Sequence, residues 1–124
     1  MDRKEFIKSM GKASENFDKD TALQIIKNSF GKIQHNEDGA VNLVIVMEEL
    51  AELQQQLSKH IRGKEDFECL VEELGDVMLG VYYVQEICGI SDEMLHKAMN
   101  VKLDRQDKRN EMHVLQKNMN NYTK

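Results

Sequence analysis

The chain has 124 residues, no proline, no tryptophan, 6% aromatic residues and a formal charge of −5. That length suits one domain with a real core and is short for two, and a composition rich in Leu, Met, Ala, Glu, Lys and Gln favours helices. Charge is unevenly spread, with 14 acids against 3 bases from Glu37 to Glu93 and 7 bases against 3 acids from Lys97 to Lys124. This argues against a nucleic-acid-binding face, which needs a basic patch on a basic domain, and suits a site where cations and a polyanion meet.

Cys69 and Cys88 have no Cys-x-x-Cys spacing, so neither a zinc knuckle nor a disulfide framework is indicated. The opening segment, MDRKEFIKSM, has no apolar run of signal-peptide length, and nothing reaches the roughly 18 apolar residues of a membrane span. The expected setting is the cytoplasm, with no membrane partner.

In chain order, residues 1–19 are polar and broken by Gly11, which predicts a short helix or a tail. Asp20 offers an N-cap for an amphipathic helix carrying Leu23, Ile25, Ile26 and Phe30 and ending near Gly31. KIQHNEDGA reads as a loop. A long helix is predicted from about Gly39 to Arg62, stopped by Gly63, with RGKED as the turn. A second long helix is predicted from about Asp66 to Cys88, closed by Gly89. Ser91 or Asp92 starts the last helix, expected to reach about Arg109 before the Asn-rich end NMNNYTK frays. No strand-like alternation competes. The expected architecture is therefore all-α, a four- to five-helix antiparallel bundle, with the domain proper over 20–110 and a polar extension over 111–124.

Two segments of these long helices resemble one another. MEELAEL (Met47–Leu53) and VEELGDVM (Val71–Met78) each set acids into a helical rhythm of apolar residues. At about 100° per residue, Leu43, Val46, Leu53, Leu57 and Ile61 form a stripe centred on Leu50, with Glu49 and Glu52 about 100° and 160° away on one side. In the second helix Leu74 takes the place of Leu50, with Phe67, Leu70, Val77, Met78 and Val81 in its stripe, and Glu73 and Asp76 fall at the same two angles. Antiparallel packing through the leucine stripes would bring these four acids to one lateral site, and Gly75, on the other flank, is assigned to close helix packing.

Glu-rich helix faces are most often simply solvated. Here the acidic sides also carry Val41, Val44 and Ile45 on one helix and Cys69 and Ile87 on the other, and a helix apolar nearly all round is buried on more than one face. Two like charges ~4 Å apart repel by about 4 kcal/mol at an effective dielectric near 20, so converging acids on such a face call for a neutralising cation. There is no Glu-x-x-His for a di-iron site and no His-Glu-x-x-His for zinc. Oxygen-only ligands favour Mg²⁺ or Mn²⁺, which serve substrate phosphates.

Glu48-Glu49-x-x-Glu52 followed by Glu73-x-x-Asp76 resembles the E-E-x-x-E … E-x-x-D signature of the MazG-like all-α nucleoside triphosphate pyrophosphohydrolases, a superfamily that includes the dimeric dUTPases and phosphoribosyl-ATP pyrophosphohydrolase. The similarity covers roughly Gly39 to Arg105. It implies a helical bundle completed by dimer or tetramer formation, Mg²⁺ held by Glu49, Glu52, Glu73 and Asp76, and cleavage of a nucleoside triphosphate to monophosphate and pyrophosphate. Glu49 or Glu48 would be the general base. The family's last helix usually sends a basic residue and an asparagine toward the phosphates, and HKAMNVKLDR offers Lys97, Asn100, Lys102 and Arg105; a basic helix end is also an ordinary solvated face. Several relatives sandwich the base with tryptophan, absent here, which leaves Phe30, His35, Tyr82 and Tyr83 as base readers or as plain core and surface. The readings left open are a house-cleaning, dUTP- or dCTP-directed enzyme, phosphoribosyl-ATP pyrophosphohydrolase, and a non-catalytic helical dimer that binds partners.

Overall fold

The computed structural model describes residues 2–30, 36–64 and 66–122, with the backbone alone at residues 30, 36–41 and 122. The chain is all-helical. Its elements are α1 (Arg3–Met10), α2 (Lys19–Phe30), α3 (Asn36–Ile61), α4 (Phe67–Cys88) and α5 (Asp92–Tyr122), and no strand occurs among the described residues. Two compact units are distinguished, Met1–Gly89 and Ile90–Lys124. The predicted helix stop at Gly31, the base-reading candidate His35, and the side chains of Phe30 and Val41 lie outside the described residues.

Local chemistry sets the helix ends. The N-terminal segment forms a helix because the Asp2 carboxylate accepts the Glu5 N–H at 2.8 Å. The cap of α2 is Asp18, not Asp20: its carboxylate accepts the Asp20 N–H at 3.1 Å and the Thr21 hydroxyl at 2.7 Å, and its carbonyl takes the Ala22 N–H. The Thr21 hydroxyl bond, followed by the two backbone donors, holds the Asp18 carboxyl below its ordinary range. Gly63 (φ +72°) and Gly89 (φ +70°) close α3 and α4 in the left-handed conformation that glycine enters without a Cβ penalty. Beyond Gly63, the Lys64 N–H reaches back to the Lys59 carbonyl at 2.8 Å.

Two boundaries differ from the sequence reading. The segment read as a loop is helical from Asn36, so α3 begins before Gly39. The last helix does not fray after Arg109 but runs to Tyr122. No glycine or proline interrupts it, and side-chain pairs four residues apart, Asp104–Lys108 at 3.0 Å and Gln106–Asn110 at 2.8 Å, support its middle. Polar composition alone does not break a helix.

Within the Met1–Gly89 unit, α4 is the element that α1, α2 and α3 all touch. Arg3 on α1 pairs with Asp66 at 2.7 Å. On α2, Ile26 is buried and Lys27 lies 3.9 Å from Glu86. Helices α3 and α4 are antiparallel. Val46 faces Gly80, Glu49 faces Asp76, and Glu52 meets Glu73, so numbers fall along one helix as they rise along the other.

That register overturns two expectations. The seam follows one edge of the α3 stripe and not its centre, because Leu50 and Leu74 are each 50% exposed while Val46, at the edge of its stripe, is 8% exposed. On α3 the seam lies on the Val46–Glu49–Leu53 face, centred about 70° round from Leu50. Periodicity finds an apolar stripe, but α3 and α4 both have apolar residues on more than one side, and periodicity alone does not say which side meets the neighbour.

The packing glycine is Gly80, not Gly75. A Cβ at Gly80 would stand 3.2 Å from Val46 Cγ1 and 3.4 Å from Cγ2, whereas one at Gly75 would meet nothing within 4 Å. Val46 is β-branched and buried and so has little freedom to move aside. Gly80→Ala is therefore expected to lower stability by about 1 kcal/mol or more through overpacking, and Gly75→Ala to raise it by about 0.5–1 kcal/mol through helix propensity. Opposite shifts of the urea midpoint check the pair, and equal shifts would refute the assignment.

Candidate metal centre

The antiparallel register brings the acids of the two motifs together in the seam. One carboxylate oxygen from each of Glu49, Glu52 and Glu73 lies within 4.8 Å of the other two. Asp76 stands beside Glu49, and its charge and its hydrogen bond both act on the Glu49 carboxyl. The result is a row of four carboxyls from two helices. Glu48 is exposed, about 100° round α3 from Glu49, and stays outside the row.

The electrostatics are unfavourable as they stand. As carboxylates, Glu49 and Glu73 each have one oxygen, Oε2, buried with no donor among the described residues. Among the described residues, the groups acting most strongly on the Glu49 and Glu73 carboxyls are other acids. Burial, then the neighbouring Asp76 charge, push the Glu49 carboxyl above its ordinary range. Burial, then hydrogen bonds with Glu52 and Glu49, push Glu73 up to about 8. Two carboxylates are both acceptors, so those bonds require one of the acids to keep its proton. In effect a proton holds the row together when nothing else does.

A pH dependence follows. Between 4.5 and about 8 the folded chain holds a proton on Glu73 that the unfolded chain has released, so stability falls as pH rises through that window and levels off above it. In chelator, the melting temperature is expected to be higher at pH 5.5 than at pH 8.5, and Glu73→Gln should flatten the slope while raising the value at pH 8.5. A profile in Glu73→Gln as steep as in the unaltered chain would show that the slope originates elsewhere.

Two hollows adjoin the row. One, of about 220 Å³, is lined by Asn42, Val46, Glu49, Asp76, Gly80 and Tyr83. The other, of about 670 Å³, lies between α1, residues 11–18 and α4 and is lined by Phe6, Met10, Phe17, Leu79 and Tyr82, with Glu72 and Asp76 as its acids. Of the aromatic candidates, Tyr83 thus lines the smaller hollow and Tyr82 the larger. Asn42, Phe6 and Phe17 were not singled out by sequence reasoning. Asn42 had a signal, two turns before Glu49 and so on the same face; Phe6 and Phe17 had none, since only folding brings the N-terminal segment to α4.

The basic residues lie on α5. Lys97 is ion-paired with Glu93 at 3.2 Å, and Asn100, Lys102 and Arg105 are exposed. Helical rotation sets Asn100 and Lys102 about 160° apart, so those two do not face one ligand from one helix. No helix among the described residues is long and apolar enough to cross a membrane. No protein family, curated protein or solved structure matches the chain.

Proposed function

We propose that the chain is a Mg²⁺-dependent nucleoside triphosphate pyrophosphohydrolase of the MazG-like kind, with Mn²⁺ as an alternative ion. The observation that carries this reading is the seam itself: one carboxyl oxygen from each of Glu49, Glu52 and Glu73 gathered within 4.8 Å, Glu49 and Glu73 each with an oxygen buried away from any donor among the described residues, and Asp76 alongside. Buried acceptors that lack a donor among the described residues fit a hard divalent ion, and an all-oxygen donor set fits Mg²⁺ or Mn²⁺ better than zinc.

Glu49, Glu52, Glu73 and Asp76 would hold the ion. Bound there, Mg²⁺ would offset the charge of the phosphates and acidify the water it takes up. Glu49 accepts the proton of the attacking water, with Glu48 as the alternative base. The water oxygen bonds to phosphorus in line with the leaving group, the bond to pyrophosphate breaks, and pyrophosphate leaves with the electron pair. Asn100 and Arg105, then Lys97 and Lys102, are the groups assigned to the phosphates. This division needs no nucleophilic Ser, Cys or His. Pyrophosphate release from a panel of triphosphates, with Glu49→Gln as control, tests the reading.

The exposed Leu50, Leu57 and Ile61 on one face of α3 and Phe67, Leu74 and Met78 on one face of α4 support assembly into a homodimer or tetramer, since exposed apolar faces mark interaction sites. They also favour the second reading, a non-catalytic helical dimer. That reading gains if the chain assembles and binds Mg²⁺ yet turns over no triphosphate.

A further inference from the structure

The hollow of about 670 Å³ lies on a different flank of α4 from the acid row. Of its lining, Val71, Gly75, Met78 and Tyr82 stand roughly 140–180° round the helix from Glu73, so an occupant need not meet the metal centre. The volume falls in the roughly 300–1,000 Å³ range of small-molecule sites, and the α4 wall is bare at Gly75, where a Cβ would meet nothing within 4 Å. Opposite that wall, Phe6 and Met10 line the hollow from one side of α1, one turn apart. No residue of α1 is buried, and the helix is tied down through Arg3, 2.7 Å from Asp66 and 3.7 Å from Glu68. An apolar helix face turned toward unfilled space has few contacts to gain until something occupies that space.

The walls narrow the chemistry of the occupant. Phe6, Phe17 and Tyr82 bring three aromatic rings to one cavity, and the charged groups among the described residues lining it, Glu72 and Asp76, are both acids. Ring faces are electronegative and attract cations. Tyr82 already does so: the Lys19 ammonium stands 5.3 Å from its ring centre. The Phe17 ring lies nearly parallel to that of Tyr82, 14° apart in plane with centroids 6.2 Å apart, and Phe17 is 62% exposed, so it has ring surface that its own chain leaves uncovered. We propose that the hollow binds an amphipathic organic cation, an amine carried on an apolar body, with the ammonium toward Glu72 and the aromatic rings and the body against Met10 and Leu79. Glu72 is the anchoring acid, since Asp76 also acts on Glu49 in the row. An anion would meet two like charges. A neutral apolar molecule would cover Glu72 without giving it a partner, which is costly for a carboxylate. The proposal stands independently of any triphosphate chemistry at the row.

The test is calorimetric binding, at neutral pH in millimolar Mg²⁺, of three probes built on one skeleton: 4-phenylbutylammonium, 4-phenylbutanol and 4-phenylbutyrate. The ammonium should bind at least about 10-fold tighter than the alcohol, a margin in keeping with a cation–π contact and a charge-assisted hydrogen bond, and the carboxylate should bind weakest. Glu72→Gln, which keeps size, and Phe17→Leu, which keeps apolar bulk, should each narrow that margin while the alcohol still binds. Glu49→Gln should leave it unchanged. Glu72 and Phe17 are both at least partly exposed and act through different groups, so a folding defect in one variant leaves the other to decide. Equal affinity for ammonium and alcohol would mark a plain apolar pocket and overturn the proposal, as would a margin that survives both variants. A margin lost in Glu49→Gln would place the ammonium on the acid row and overturn it too. Binding of none of the three overturns it outright, and dissociation of an assembly by Phe17→Leu would then assign the hollow to contact between copies.

Discussion

Millimolar Mg²⁺ at pH 8 is expected to raise the melting temperature, by about 10 °C if the concentration is a hundredfold above Kd. Binding to the folded state alone contributes about 2.7 kcal/mol at that excess, and a chain of this length gains about 4 °C per kcal/mol. The cause is specific to the seam. Burial and neighbouring acids penalise charge on Glu49 and Glu73, and a divalent ion removes the repulsion that a proton removes at lower pH. Mg²⁺ should therefore matter most at pH 8 and little at pH 5.5, where protons compete for the same oxygens. Glu49→Gln or Glu73→Gln should do two opposite things, raising the melting temperature in chelator by relieving repulsion and abolishing the response to Mg²⁺. A single structural role predicts one sign in both conditions. A melting temperature indifferent to both Mg²⁺ and Mn²⁺ at pH 8 would remove the metal centre from the account.

Turnover should be still more sensitive. Pyrophosphate release is expected from at least one member of a panel of canonical and modified nucleoside triphosphates plus phosphoribosyl-ATP, and Glu49→Gln should reduce kcat about 100-fold or more, the lower end of a general-base contribution. Asp76→Asn should fall with it. Glu48→Gln separates the two candidate bases: Glu48 lies exposed and outside the acid row, so its loss should spare most of kcat if Glu49 takes the proton. Asn100→Ala and Arg105→Ala should act chiefly on KM if their part is to bind phosphate before the chemical step. Release that continues unchanged in Glu49→Gln would sink the site assignment, however well the helices fit.

Helix content, the glycine stops at Gly63 and Gly89 and the existence of two acid-bearing helices were legible because each is a local matter. Propensity, a positive φ and a period of 3.6 are properties of a few neighbouring residues. Helix ends are less legible where two local signals compete. Asp18 and Asp20 are equally good caps on paper, and the hydroxyl of Thr21 favours Asp18. The polar tail after Arg109 lacks apolar periodicity, yet nothing in it breaks a helix that is already growing.

The sequence by itself determined that Glu49, Glu52, Glu73 and Asp76 would share a side of their helices, since rotation along a helix is fixed by backbone geometry. Only the tertiary structure decided which side faces the partner helix. A 3.2 Å fit between the site of an absent Cβ at Gly80 and Val46 draws α3 and α4 together on the acidic faces, leaving Leu50 and Leu74 exposed. The acids therefore sit in the seam instead of beside it, and that is why two of their oxygens are buried with no donor among the described residues. Close approach depends on the shape of both surfaces at once, which no single helical pattern encodes. The hollow that joins Phe6 and Phe17 to Tyr82 is a further product of that packing, from residues far apart in the chain.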